Sequence, residues 1–164
     1  MCLLGFTAIP LREVSTGHHL VQATINGRTG SFVLDTGANI TVVDSAHRQH
    51  FGLSASSSGL GGVVGGMAGA TGAKQVSVEG LSIGPVQARQ GRIVTADLGQ
   101  LLSTLSRVTN TEVYGLVGQD IMKKHRAIVD VAKPMLYMME EDEDPSPVPA
   151  SQCEGEGDAP TQGK

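Results

Sequence analysis

Three consecutive apolar residues, Phe32-Val33-Leu34, run straight into Asp35-Thr36-Gly37, and a second apolar run over residues 40–43 follows at once. Few arrangements tolerate that order. A carboxylate at the end of a buried strand must be hydrogen-bonded or must share its charge, because an isolated ionised Asp in a dry setting is very costly. Gly37 supplies backbone that can fold tightly and offer its amide to the carboxylate, and Thr36 supplies a hydroxyl able to bond nearby main chain. The segment therefore predicts a strand, a tight turn built around a partnered carboxylate, and a returning strand.

The rest of the chain agrees with a turn-rich β protein. Only 3% of the 164 residues are aromatic and none is Trp, whereas 22 are Gly, so the core must be built from Val, Ile, Leu, Ala and Met. Residues 20–25 alternate, with Val21, Ala23 and Ile25 on one face, and end at Asn26-Gly27, the strongest short hairpin signal. Asp44 is placed to cap a short helix over residues 45–50 that Gly52 ends. Strand patterning returns at 74–78, 81–83 and 86–94, and at the short apolar stretch 113–117. One helical turn is expected around residues 100–105. Asp120 is expected to cap a second short helix reaching about His125, and residues 127–130 and 135–139 pair across Lys133-Pro134. Seven of the fourteen residues from 59 to 72 are Gly, which by composition alone reads as a mobile loop or a hairpin tip.

Length suits one domain. Its expected limits are residues 18–139, preceded by an N-terminal extension, 1–17, and followed by a disordered acidic tail, 140–164. That tail holds eight of the 16 acids and one of the 12 bases, so it carries −7 and the body +3. It has almost no large apolar side chain with which to offset chain entropy. A mildly basic body without aromatic-interleaved Lys/Arg clusters speaks against nucleic-acid binding. No run of about 18 apolar residues is present, which excludes a transmembrane helix and leaves other membrane association open. Residues 1–9 are apolar but lack the basic start and cleavage site of a secretory signal. The sequence leaves the compartment undecided between the cytoplasm and, if a signal has been removed, the periplasm. Cys2 and Cys153, at opposite ends, form neither a metal-ligand spacing nor a disulfide framework.

The segments FVLDTGANITVVD and, about eighty positions later, GLVGQDIMKKHRAIVD closely resemble the retropepsin-like aspartic proteases, in particular their small bacterial single-domain members. The resemblance covers residues 18–139. It implies a mostly-β, closed retropepsin-like barrel with one or two short helices, active as a homodimer, because the chain has a single Asp-Thr-Gly and each subunit of that family contributes one Asp. It assigns Asp35 as the catalytic carboxylate, Gly37 as its backbone donor and Thr36 as the residue that locks the two active-site loops together. Two carboxylates about 3 Å apart cannot both ionise, so such a dyad holds one proton and activates water for peptide-bond hydrolysis. The implied partners are a second copy and a peptide or protein substrate. The glycine-rich stretch falls where the family has its flap, and Ala38, Asn39, Gly65, Gly66 and Met67 are the implied substrate contacts. No cofactor or metal is expected. A non-catalytic dimeric peptide-binding module on the same fold is the alternative.

Where retroviral members pair an Asp with an Arg, this chain has Asn39 and Gln119. An amide-amide hydrogen bond is expected in place of the ion pair, avoiding the desolvation of buried charge. His47 and His50 have no accompanying carboxylate or Cys cluster and read as a solvated helix face, and His125 reads as structural. Asp44 and Asp120 are taken as helix caps and Asp130 as a strand-end residue, so none competes with Asp35.

Overall fold

The computed structural model describes residues 4–54 and 71–140. The hairpin forms where the Asn-Gly pair predicts it. Strand β3 (His19–Ile25) returns as β4 (Arg28–Leu34), in antiparallel register from Leu20↔Val33 to Ile25↔Arg28. Asn26 and Gly27 both have positive φ, +50° and +76°, the turn geometry whose twist matches a two-residue hairpin. The Asn26 side chain also bonds outward, donating to Phe51 O at 3.0 Å and accepting from the Glu79 amide at 2.8 Å.

The returning run after Asp-Thr-Gly becomes β5 (Val42–Asp44), and β10 (Val113–Val117) lies between it and β4, parallel to β4 and antiparallel to β5. Around this centre, β6 (Thr71–Ser77), β7 (Leu81–Ile83), β8 (Val86–Gln87) and β9 (Arg92–Asp97) complete a mixed sheet in the order β6-β9-β5-β10-β4-β3-β7-β8. Strand β2 (Arg12–Glu13) pairs with β3. The closed barrel expected from the sequence is corrected here. Among the described residues the ends of this path, β6 and β8, do not pair with each other. The strand expected over residues 86–94 breaks after Gln87, so β8 is two residues long and resumes only as β9.

Structure extends upstream of His18. Strand β1 (Thr7–Pro10) pairs with β12 (Met135–Met138), which also pairs with β11 (Ile128–Asp130), making a separate three-stranded sheet.

The unbroken apolar runs have a physical reason. The central strands are buried on both faces: Phe32, Leu34 and Val43 join one core cluster with Ile25, Phe51, Leu136 and Met138, while Val33, Val42 and Leu116 join another with Val94, Leu102 and Leu105. Helix α1 (Gly99–Thr109) covers the second face, with Leu102 and Leu105 buried. It has three turns where one was expected. A short 3-10 turn, Ser45–His47, follows β5, with the Asp44 carboxylate accepting from the Ala46 amide as expected. Helix α2 (Gln119–Lys124) follows β10, but Asp120 is not its cap. Gly118 occupies the N-cap without a side-chain bond, and Asp120 lies inside the first turn.

Candidate active site

Asp35 follows β4 directly, and its position is set from main chain first. Its amide donates to Val117 O at 3.0 Å, extending the parallel β4–β10 pairing by one residue. The chain then turns: Gly37 N donates to Asp35 Oδ1 at 2.8 Å, and Ala38 N to Asp35 O at 3.2 Å. A Cβ on Gly37 would stand 3.2 Å from that same Oδ1, so glycine keeps the carboxylate accessible to the amide. Asp35 is half-buried, Thr36, Gly37 and Asn39 are exposed, and Ala38 is buried.

The first residues of α2 hold this loop from beneath. Gln119 N donates to Ala38 O at 2.8 Å, and the Gln119 side chain reaches Thr36 O, Nε2 to O 2.6 Å. The Gln119 side-chain amide thus bonds loop main chain. Gly118 N donates to Thr41 Oγ1 at 3.0 Å, and the same hydroxyl donates to Asp120 Oδ1 at 2.7 Å. Asp120 Oδ1 also accepts from Ile121 N at 2.9 Å, and Oδ2 accepts from Gln90 Nε2 at 3.0 Å. Thr41 is only 1% exposed, so its hydroxyl is a buried junction between loop and helix. Contact is close: a Cβ on Gly118 would lie 2.4 Å from the Ile40 carbonyl, and one on Gly115 would lie 2.0 Å from Val42 O. Both distances are impossible for a side chain, which is why the second motif needs glycine at both places.

A groove of about 460 Å³ opens beside Asp35. Its lining includes Val33, Leu34 and Leu116 from the central strands, Leu101, Leu105 and Val108 from α1, and Thr16 and His18. Asp35 is the one acid among the described residues that line it.

The family's sequence pattern, described as aspartyl protease, matches residues 21–121. The chain belongs to the aspartyl protease family. No curated protein sequence matches it. Among solved structures it is similar to a retropepsin-like aspartic protease from Rickettsia conorii, at 17% identity and a TM-score of 0.51, over 82% of this chain and 90% of that one. Two further similarities are to the retroviral protease-like domain of Ddi1 from Leishmania major (14% identity, 79% and 93% coverage, TM-score 0.47) and to the EIAV protease complexed with the inhibitor HBY-793 (22%, 63% and 84%, 0.35). The fold of this aspartyl protease chain is retropepsin-like, mostly β with short helices.

Of the residues singled out from the sequence, Asp35, Thr36, Gly37, Ala38 and Asn39 lie together in one turn, whereas Gly65, Gly66 and Met67 fall outside the described residues, as does most of the glycine-rich stretch read as a flap. Asp44 is buried and accepts from Ala46 N and Leu98 N, each at 3.3 Å, and Asp130 accepts from the amides of Ala132 and Lys133, both at 3.0 Å. His125 is buried with Nδ1 2.6 Å from Met139 O. Rather than facing only solvent, His47 and His50 each pack on the Tyr114 ring at 4.8 Å. No three His, Cys, Asp or Glu among the described residues gather as a metal-binding group. Thr41, Gln90 and the supporting role of Asp120 were not legible in the sequence. A hydroxyl inside the apolar run 40–43 was the one available hint for Thr41.

Proposed function

We propose that the chain is an aspartic endopeptidase, in which Asp35 works with the partner's Asp35 across a two-fold axis of a homodimer. What carries the reading is the setting of Asp35. A half-buried carboxylate, with one oxygen held by the Gly37 amide, borders an apolar groove in which no second acid lies among the described residues. On this reading the second acid is the Asp35 of another copy. Thr36, exposed at the tip of the turn, is suited to meet the neighbouring loop. Ala38, Asn39, Gly65, Gly66 and Met67 are assigned to substrate binding.

The chemistry needs no other group. With one proton shared by the pair, the ionised carboxylate takes a proton from water as its oxygen adds to the peptide carbonyl carbon, and the protonated one donates its hydrogen to the carbonyl oxygen. Collapse of the tetrahedral adduct breaks the C–N bond. The departing nitrogen takes a proton from the carboxyl that received it from water, and the hydroxyl proton of the adduct returns to the pair.

The test is turnover of a peptide library at mildly acidic pH by the native chain and by Asp35→Asn. Loss of about 10²- to 10⁴-fold is expected, and equal turnover removes Asp35 from the mechanism. On dilution, specific activity should fall as the dimer dissociates. A fully active monomer contradicts the shared dyad.

A further inference from the structure

The C-terminal end of α2 is a cationic ridge. Lys123, Lys124 and Arg126 are three exposed cations within four positions. Lys124 Nζ lies 3.5 Å from Arg89 O, and among the described residues neither Lys123 nor Lys124 has a carboxylate within ion-pair distance. The acid within the helix, Asp120, is already engaged by Thr41, Ile121 and Gln90. Met139 is brought to the same place. Its amide donates to His125 O at 2.9 Å, its carbonyl lies 2.6 Å from His125 Nδ1, and both residues are buried. The chain therefore leaves the body beside the ridge, and after Glu140 come four consecutive acids, 141–144, and then Pro145. An extended chain advances about 3.3–3.6 Å per residue, which puts these acids within about 7–18 Å of Met139. A tether this short keeps carboxylate at an effective concentration of about millimolar around the three cations.

We infer that the ridge formed by Lys123, Lys124 and Arg126 is the docking surface for this chain's own acids 141–144, an electrostatic clasp that holds the end of β12 against α2. The inference stands independently of the endopeptidase reading. Like charges crowded into four successive positions repel one another, and the cations relieve that repulsion while gaining the counter-ions that the rest of the body does not give Lys123 and Lys124. Exposed ion pairs are individually weak and screened by salt, so the clasp acts through several pairs at once and opens as ionic strength rises. The two bonds between His125 and Met139 lie directly beneath it, and their fraying reports its state.

The experiment is amide hydrogen exchange of the full chain followed by NMR, read at the Met139 amide, with the Asp35 amide, bonded to Val117 O, as the reference for the intact fold. Changing the acids 141–144 to their amides should speed exchange at Met139 by about 3- to 10-fold. Lys123→Gln/Lys124→Gln, at two exposed positions, should do the same, and the two sets combined should exceed neither alone, because each removes one side of the same contact. The native chain in about 1 M NaCl, where the screening length is about 3 Å, should match the variants. Exchange at Met139 that stays at the native rate in both variants, or effects that multiply when the sets are combined, overturn the clasp. Equal acceleration at the Asp35 amide marks a general loosening of the fold and overturns it too. If protection at Met139 in the native chain falls on dilution, the acids dock on another copy, and the inference fails.

Discussion

Replacing Thr41 by Val removes one oxygen and keeps the shape of the side chain, so it isolates the hydroxyl that joins the Asp35 loop to α2. That hydroxyl does two things at once: it accepts from Gly118 N and donates to Asp120 Oδ1. Thr41→Val leaves a buried amide without its acceptor, and an unsatisfied buried group costs about 1–3 kcal/mol. Asp120 loses one donor but keeps Ile121 N and Gln90 Nε2, so its share lies at the low end of the same range. The added methyl returns about 0.8 kcal/mol. The net expectation is destabilisation by about 1–3 kcal/mol. Thr41→Ser, which keeps the hydroxyl and loses a methyl, should cost about 1 kcal/mol. Urea unfolding followed by circular dichroism, at one fixed protein concentration because dimerisation adds to stability, reads both as shifts in midpoint at constant slope. A Thr41→Val midpoint at or above that of the native chain, or Thr41→Ser more damaging than Thr41→Val, refutes the junction.

Three other outcomes follow from distances already given. Gly118→Ala should destabilise by more than about 3 kcal/mol, because a Cβ 2.4 Å from the Ile40 carbonyl forces β10 and the loop apart; thermal melting near the native temperature would contradict this. Gln119→Leu removes the bond to Thr36 O, so turnover should drop while the unfolding free energy falls by only about 1 kcal/mol; unchanged turnover would show that the loop holds itself. The Tyr114 phenol lies above its usual value of 10.0, first because its hydroxyl donates to Glu112, then through burial and the Glu112 charge. Glu112→Gln should bring it down, read by phenolate absorbance in a Tyr137→Phe background. Since the folded value is the higher one, this contribution is complete below pH 10 and is lost as pH rises through the folded value.

What the sequence disclosed about the fold was local. Asn26-Gly27 set a hairpin register because both residues accept positive φ, and Asp35-Thr36-Gly37 announced its turn because an apolar strand cannot end in a carboxylate without an amide nearby. Residues 113–117 form the strand their patterning implied. The sequence implies a shorter α1 for physical reasons. Leu98 at its N-cap makes no side-chain bond, Gly99 starts it, and Ser103, Thr104 and Thr109 turn their hydroxyls back to the carbonyls of Gln100 and Leu105, chemistry that also suits a loop. The Thr41–Asp120 bond spans 79 positions, and nothing near either residue announces the other. The β1–β12 pairing joins segments from opposite ends of the described chain and so escapes any windowed reading. The turn of the candidate site was therefore visible in advance, while the groove wall and the struts beneath the turn were not.

The pairing of β1 with β12 has a mechanical consequence. Thr7 faces Met138 and Pro10 faces Met135, so the two strands leave their ladder from the same end. A pull applied to the flanking segments, by an unfolding motor or a tethered bead, would open this pair like a zipper, one rung at a time, instead of shearing all rungs together. The small sheet would part at low force, with the nine-stranded sheet that bears Asp35 still intact.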